Sequence, residues 1–279
     1  MSGFDLDIVA RSHGWYDLPP FRYDETTRTL RFIALVNDAP VAITVRETPD
    51  GFKATPRTAA VRTIVTRVLD LERDLAPFHA MCAGAGGFDW IARRGAGRIL
   101  RSPTLFEDAV KVLATTNCSW ALTRVICRNM VEVFDRKGAF PTAAFLAGLP
   151  EARLRQELKL GYRAPSLSRF AARVAEGDLD LSAWEDPSRS ADDVDEEIRG
   201  EHGFGPYAAQ TLGRLLGRHD RLGLDSWSRK KASALHFGGR TVKDARVEKL
   251  YRAFGPYAGL AFWLDMTRDW HAGRERLWP

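Results

Sequence analysis

The hydrophobic periodicity changes once along the chain, and this single change limits the folds that the sequence can adopt. Between residues 20 and 56 the apolar residues form two short runs rich in β-branched residues, Leu30 to Val36 and Val41 to Val45. Runs of this kind favour strands. Turn residues separate the two runs at Asn37 to Pro40 and follow them at Thr48 to Gly51. The sequence therefore predicts a small antiparallel sheet near the N-terminus.

The pattern becomes helical from about residue 58, and no convincing strand appears after it. Apolar residues such as Val61, Val65 and Val68 recur at helical spacing. We therefore predict an N-terminal α+β domain over residues 1–75, opening with a short helix, and a helical domain over residues 76–279. The predicted fold class is mainly α, a helical bundle with a small N-terminal antiparallel sheet, and the two parts are expected to pack together.

Composition excludes several classes of protein. The chain has 279 residues, of which 45% are hydrophobic and 28% charged, as is typical of folded globular domains. No apolar run approaches the roughly 18 residues that cross a bilayer. Met1 to Asp7 also lacks the basic and then apolar pattern of a secretory signal. We therefore expect a cytosolic protein that does not bind a membrane.

Metal chemistry has little support in the sequence. Three cysteines, Cys82, Cys118 and Cys127, are too few for a four-thiolate zinc site or an iron–sulfur cluster, and we expect them to be reduced and packed. The six histidines form no i, i+4 pair with an acid between them. The sequence therefore predicts no bound metal.

The net charge of +5 is small but unevenly distributed. Glu185 to Glu201 contains eight acidic and two basic residues, a net charge of −6, whereas Gly205 to Phe254 contains eleven basic and four acidic residues, a net charge of +7. The basic stretch indicates a polyanion-binding surface. From charge alone, a solvated helix face explains it equally well.

The basic stretch begins at a glycine turn between two predicted helices. The two helices and the turn together span about residues 194–217. Gly203 and Gly205 allow a sharp turn, and a helix that starts at Pro206 leaves its first amides unpaired. Such amides bind phosphate without a side chain. The pentapeptide Phe-Gly-Pro-Tyr-Ala at this turn recurs at residues 254–258. We interpret the second copy as another helix-to-helix junction, with a true internal repeat as the alternative.

Asp225 lies twenty residues beyond Gly205, between an apolar stretch and a new predicted helix. Its simplest interpretation is a helix N-cap. The dipole of that helix stabilises the charged form of a carboxylate at this position. An ionised carboxylate also stabilises a sugar that develops positive charge. Asp225 can therefore cap the helix and stabilise such a sugar at the same time.

The segment Gly203 to Ala209, followed at this spacing by Leu224 to Trp227, resembles the helix–hairpin–helix DNA glycosylases. Within that superfamily the chain is similar to the alkylpurine, or 3-methyladenine, branch. Leu113 to Ala121 resembles the loop and helix beside the DNA wedge, and Leu160 to Ala164 matches a segment that the 8-oxoguanine branch also has. The N-terminal sheet resembles the accessory domain of the superfamily, so the resemblance covers nearly the whole chain.

The resemblance implies an enzyme that flips a damaged or modified base, above all an alkylated purine, out of duplex DNA. The enzyme would hydrolyse the N-glycosidic bond and leave an abasic site, with Asp225 as the catalytic carboxylate. Bifunctional members, which also cut the strand, carry a lysine nucleophile two residues after the second hairpin glycine. This sequence has Tyr207 there, so we expect a monofunctional glycosylase without lyase activity.

Matching the remaining motifs gives a set of expected site residues. The base pocket is expected to be aromatic because base faces stack on aromatic rings, and its predicted residues are Trp15, Trp120, Tyr207 and Trp227, with His13 and Tyr16 as further candidates. Residues expected to contact DNA are Asn117, Tyr162, Arg163, Gly203, Phe204, Gly205, Ser226, Arg229 and Lys230. Asn117 matches the wedge position, with a helix cap as the alternative. Trp263 and Trp270 are expected to pack on one helix face.

Double-stranded DNA is the expected partner, bound by a monomer in the cytoplasm or nucleoid. No cofactor is expected beyond a monovalent cation that hairpin carbonyls can hold. Two alternatives stay open: a glycosylase for oxidised or bulky modified bases, such as those of phage DNA, and a non-catalytic helix–hairpin–helix protein. Leu122 stands where the 8-oxoguanine branch reads the opposite cytosine with an arginine, which argues against a strict cytosine partner.

Overall fold

A computed structural model describes residues 4–271, and all strands within that range lie before residue 56. They are β1 (Arg22–Asp24), β2 (Thr29–Val36), β3 (Ala39–Thr48) and β4 (Gly51–Thr55), and they form one antiparallel sheet in the order β1-β2-β3-β4. The predicted change from strand to helical periodicity is confirmed.

Helices account for most of the remaining described residues. The N-terminal half contains α1 (Leu6–Ala10), α2 (Ala59–Val68), α3 (Ala76–Cys82), α4 (Asp89–Arg94), α5 (Leu105–Thr115) and α6 (Trp120–Phe134). The C-terminal half contains α7 (Ala143–Ala147), α8 (Glu151–Gln156), α9 (Ala164–Glu176), α10 (Ser182–Glu185), α11 (Ala191–Gly200), α12 (Pro206–Leu216), α13 (Ser226–His236), α14 (Asp244–Tyr251), α15 (Ala258–Met266) and α16 (Arg268–His271). Short 3₁₀ turns lie at Gly14–Asp17, Gly161–Arg163 and Arg252–Tyr257.

One face of the sheet is buried because its apolar residues alternate along each strand. Leu30 and Phe32 of β2 pair with Val45 and Ile43 of β3, and all four side chains are buried. Phe21 packs on this face, with its ring centroid 5.0 Å from that of Phe32. The predicted fold class is confirmed: the protein is mainly α, with a small N-terminal antiparallel sheet.

Buried hydrogen bonds join the segment after α1 to the helical part. The Leu100 amide donates to Ser12 Oγ at 2.9 Å, and His13 Nε2 lies 2.6 Å from the Leu100 carbonyl oxygen. Trp15 Nε1 donates to Asp108 Oδ1 on α5 at 2.8 Å. Because buried polar groups are costly without partners, these bonds fix the position of the segment. The expectation that the two parts pack together is confirmed, and the boundary at residue 75 stays a prediction.

Two helices flank the glycine turn, as the sequence predicts. Helix α11 ends at Gly200, α12 runs over Pro206–Leu216, and Asp225 is the N-cap of α13. The second pentapeptide lies in the 3₁₀ turn that leads into α15, where Gly255 has φ +51°. It is therefore a helix-to-helix junction, as interpreted from the sequence.

The three cysteines are unpaired. Burial raises the pKa of the Cys82 and Cys127 thiols to about 12, so both stay protonated at neutral pH. Cys118 is half-buried. Within residues 4–271, no helix is long and apolar enough to cross a membrane.

Buried neutral histidines predict a loss of stability in acid. Burial lowers the pKa of His219 to about 3 and that of His13 to about 4, whereas both titrate near 6.5 in an unfolded chain. As the pH falls from about 6.5 to about 4, the unfolded chain binds protons that the folded chain does not. The free energy of unfolding should then fall by about 1.4 kcal/mol per pH unit for each histidine. Urea denaturation at a series of pH values measures this slope.

The variant His219→Leu removes one of these groups. No described residue hydrogen-bonds to either ring nitrogen of His219, so the substitution breaks no such bond. Its unfolding free energy should depend less steeply on pH than that of the wild-type protein. An unchanged slope would contradict the assignment.

Candidate functional site

Four segments that are distant in sequence surround one cavity of about 660 Å³. They are the segment at Trp15, the loop before α6, the turn before α12 and the start of α13. Two tryptophans of α15 and α16 complete the walls. The lining residues are His13, Gly14, Trp15, Thr115, Thr116, Asn117, Cys118, Trp120, Thr123, Tyr162, Gly203, Gly205, Pro206, Tyr207, Ala208, Thr211, Arg214, Gly223, Asp225, Ser226, Trp227, Trp263 and Trp270.

The turn between α11 and α12, residues 201–205, is a hairpin that requires glycine at one position. Gly203 has φ +91°, and a Cβ placed there would lie 2.4 Å from Ser166 Oγ. Phe204 is buried and packs on Phe170, with ring centroids 4.8 Å apart. No described side chain caps α12, whose N-cap is Gly205. Its first amides are therefore available to an anionic ligand.

Asp225 is held at the start of α13 by a reciprocal capping box. The Ser228 amide donates to Asp225 Oδ1 at 2.7 Å, and the Asp225 amide donates to Ser228 Oγ at 2.9 Å. The carboxylate is half-buried and lines the cavity. Among the described residues Oδ2 has no hydrogen bond, so this oxygen is available to a reacting group. The N-cap interpretation of Asp225 is confirmed.

The four predicted pocket aromatics all line the cavity. Trp120 Nε1 donates to Asp17 Oδ2 at 2.8 Å, which fixes its indole. Its ring lies directly against Gly14, where a Cβ would come within 2.2 Å of the indole. Tyr207, at the start of α12, has its hydroxyl 3.3 Å from Thr115 Oγ. Aromatic faces in such an arrangement suit a planar ligand.

Trp263 and Trp270 correct one expectation. The expected packing of the two rings is confirmed, because their centroids are 5.7 Å apart. They do not lie on one helix, however, because α15 ends before Thr267 and Trp270 belongs to α16. The break turns both rings toward Trp227, with centroids 6.0 and 5.5 Å from its ring, and both line the cavity. Trp263 Nε1 also donates to the Ser12 carbonyl oxygen at 2.8 Å. The seven-residue spacing was misleading because it assumed one continuous helix.

Arg214 is a cavity residue that the sequence analysis missed. Its guanidinium carbon lies 4.0 Å from the centroid of the Trp263 ring, a cation–π contact. Burial lowers the pKa of Arg214 to about 10, so the group is still cationic at neutral pH. Tyr207, Thr211 and Arg214 follow the i, i+4, i+7 pattern of one helix face. That spacing was the available signal.

The loop before α6 presents Asn117 to the cavity in a left-handed conformation, with φ +44°. Ser119, not Asn117, caps α6, because its hydroxyl accepts from the Leu122 amide at 3.3 Å. The helix-cap alternative for Asn117 is therefore wrong. Arg163 is buried and donates to the carbonyl oxygens of Thr116 and Asn117 at 2.9 and 3.0 Å. It holds this loop in place.

The other predicted DNA-contacting residues divide into two groups. Tyr162, Gly203, Gly205 and Ser226 line the cavity with Asn117, whereas Arg163, Phe204, Arg229 and Lys230 do not. Arg229 pairs with Asp244 at 2.9 Å on the surface, and Lys230 is exposed. Tyr16 packs against Tyr23 and does not line the cavity. Direct DNA contacts of all these residues stay predictions.

Within residues 4–271, no cluster of three or more potential ligands is placed to hold a metal ion.

Comparison with known proteins finds similarity only at the level of structure, since no family model and no curated sequence matches the chain. MBOgg1 in complex with a low-affinity DNA ligand has a TM-score of 0.78 at 18% identity, covering 97% of this chain and 94% of that one. The 8-oxoguanine glycosylase/lyase of Clostridium acetobutylicum has a TM-score of 0.74 at 20% identity, covering 95% and 93%. The 3-methyladenine DNA-glycosylase of Archaeoglobus fulgidus has a TM-score of 0.77 at 18% identity, covering 96% of each chain.

The chain has the fold of the helix–hairpin–helix DNA glycosylases. In this fold the hairpin, the capped Asp225 and the aromatic cavity meet in one place. At sequence identities of 18–20%, this similarity shows the fold of the chain and not the chemistry of its site.

The hairpin of this glycosylase fold predicts a contrast between its two glycines. Gly203→Ala should lower the free energy of unfolding by roughly 2 kcal/mol or more, because φ +91° strains an alanine and its Cβ meets Ser166. Gly205→Ala is the matched control. Gly205 has φ −82° and open space around a Cβ, so its cost should stay below about 1 kcal/mol. Thermal or urea unfolding measures both, and equal costs would contradict the hairpin geometry.

Proposed function

We propose that this protein is a DNA glycosylase that turns a damaged or modified base into the cavity and hydrolyses its N-glycosidic bond. One observation carries the proposal. The capped Asp225 carboxylate opens into an aromatic cavity whose rim is the hairpin with uncapped helix amides. A protein that only bound DNA would have no need for a carboxylate facing a polyanion.

The hairpin supports the binding step. Amides at the start of α12, with the helix dipole behind them, suit a phosphate of the DNA backbone. The basic stretch from Gly205 to Phe254, at +7, begins at the same place and adds sequence-independent attraction. Arg163 holds the loop that presents Asn117 to the cavity, and we assign to Asn117 the role of filling the space that a flipped nucleotide leaves.

Asp225 supports the chemical step. As the bond between C1′ and the base nitrogen breaks, its electron pair leaves with the base and C1′ becomes cationic. Oδ2 of Asp225, which has no hydrogen bond within residues 4–271, stabilises this charge and orients a water molecule. The water oxygen then bonds to C1′, and its proton passes to the carboxylate or to the departing base. The products are the free base and an abasic site.

We infer that the reaction stops at the abasic site. Lyase activity in this fold needs an amine that attacks C1′ to form a Schiff base. The residue two positions after the second hairpin glycine is Tyr207, whose phenol cannot form an imine. Its hydroxyl lies beside Thr115 on the cavity wall.

Aromatic walls support a purine as the flipped base, because a larger ring system stacks more strongly. Alkylated purines, expected from the sequence resemblance, and oxidised purines both fit such walls. We propose that a monomer acts on double-stranded DNA in the cytoplasm or nucleoid and needs no cofactor. A monovalent cation at the hairpin carbonyls is compatible with this proposal.

The variant Asp225→Asn tests the chemical role. Asparagine preserves the helix cap but carries no charge, so base release should fall roughly 10²-fold to 10³-fold while DNA affinity stays within about twofold. Single-turnover base release from duplexes that carry 3-methyladenine, 7-methylguanine, hypoxanthine, 8-oxoguanine and modified cytosines measures the first quantity. If the Asp225→Asn variant releases base at the wild-type rate, Asp225 is not the catalytic carboxylate.

The matched control is Ser228→Ala, which removes one half of the capping box and leaves the carboxylate. It should destabilise the protein by about 1 kcal/mol and keep most of its activity. A wild-type protein that binds every duplex in a salt-dependent manner but releases no base would favour the non-catalytic alternative.

The absence of lyase activity gives a separate prediction. Sodium borohydride traps a covalent protein–DNA complex only if an imine forms. Wild-type protein incubated with a cleavable duplex should give no trapped complex, and the abasic strand should break only after alkali. Strand breaks without alkali, together with a trapped complex, would show that the enzyme is bifunctional.

A further inference from the structure

Arg214 places a positive charge in the wall of the cavity. Within residues 4–271 it has neither a hydrogen bond nor an ion pair, and its guanidinium carbon lies 4.0 Å from the centroid of the Trp263 ring. Among residues 4–271 the cavity is lined by one acidic residue, Asp225, whose charge acts on Arg214 without forming an ion pair with it. The proposed function assigns Asp225 to the sugar. His13, also in the lining, is neutral because burial lowers its pKa to about 4.

The surroundings hold the guanidinium at this place. Arg214 lies two helical turns after Tyr207 on the same face of α12. A Cβ on Gly223 would lie 3.0 Å from Arg214 Nη2, so glycine at that position leaves room for the group. The contact with the Trp263 ring restricts the orientation of the planar guanidinium group. A planar cation fixed in this way is suited to recognise the edge of a base.

The charge decides which bases the cavity accepts. A purine that carries an N-alkyl group at N3 or N7 is itself cationic, and a second cation in a partly desolvated cavity repels it. A neutral 6-oxopurine presents O6 and N7, two acceptors that an arginine fork binds together. Stacking on the tryptophans favours both classes of base, so the guanidinium makes the distinction.

We propose that Arg214 selects neutral 6-oxopurines, such as hypoxanthine, over cationic N-alkylated purines. The inference rests on the proposed function, because it assumes that the flipped base enters this cavity. It also replaces the alkylated-purine preference that the sequence resemblance implies with a preference set by the charge of one side chain.

The test measures binding, so that it does not depend on catalysis. Two duplexes are identical except for one nucleotide, which carries either hypoxanthine or 7-methylguanine on a 2′-fluoro sugar that resists hydrolysis. Both bases have O6, but 7-methylguanine is cationic and its N7 is blocked. The wild-type protein should bind the hypoxanthine duplex at least tenfold more tightly than the 7-methylguanine duplex.

Two variants then assign this preference to Arg214. Arg214→Met removes the charge and both donors, and it should reduce the preference at least tenfold. Arg214→Gln is a second neutral variant, of similar length and with an amide donor, in case the methionine variant folds poorly. It should weaken rejection of 7-methylguanine while keeping part of the affinity for hypoxanthine. Arg169→Met is the matched control, because Arg169 is an exposed arginine of α9 outside the cavity, and its preference should equal that of the wild type.

The outcomes separate this inference from the proposed function. Three results would overturn the role of Arg214. The wild type could bind the two duplexes equally, it could bind neither duplex, or both Arg214 variants could keep the wild-type preference. A different result would separate the two proposals. If the Arg214 variants lose the preference but the wild type releases no base from unmodified sugars, Arg214 is the selecting group and the glycosylase activity is rejected.

Discussion

The hydrogen bond from Trp15 to the buried Asp108 joins the N-terminal segment to the helical part, and the shape of the cavity depends on it. Asp108 Oδ1 also accepts from the Ser102 amide at 2.8 Å, and Arg67 Nη2 lies 3.7 Å from Oδ2. The buried carboxylate therefore has two hydrogen bonds on one oxygen and an ion pair on the other. With Trp15 fixed, Gly14 lies against the Trp120 ring and the segment forms one wall of the site. The small sheet domain therefore helps to build the site although its strands contribute none of the lining residues.

Two opposite charges set the chemistry of the cavity. The capping box fixes Asp225 through Oδ1 and, among the described residues, leaves Oδ2 without a hydrogen bond, while the contact with the Trp263 ring fixes Arg214. Each charge is held by a group that does not neutralise it, an amide in one case and an aromatic ring in the other. Both therefore stay available to a ligand. In the function proposed above, the carboxylate acts on a cationic sugar and the guanidinium binds the acceptor edge of a base.

Much of the fold was predictable because it is encoded by local signals. The alternation in β2 and β3, the glycine turn before Pro206 and the N-cap at Asp225 each depend on residues a few positions apart, and the structure confirms each of them. The site was predictable only in part. The segments that line the cavity were found, but the place of Trp263 and Trp270 in its wall was not, and Arg214 was taken only as part of a basic stretch.

The sequence by itself determined the elements, the hairpin and the capped carboxylate, because backbone conformation and capping follow from short-range sterics and hydrogen bonds. Only the tertiary structure decided which side chains meet. The break at Thr267 brings Trp263 and Trp270 beside Trp227, and burial against Trp263 turns Arg214 from a surface charge into part of the cavity wall. Such contacts depend on how distant helices pack, and local patterns along the chain do not specify that packing.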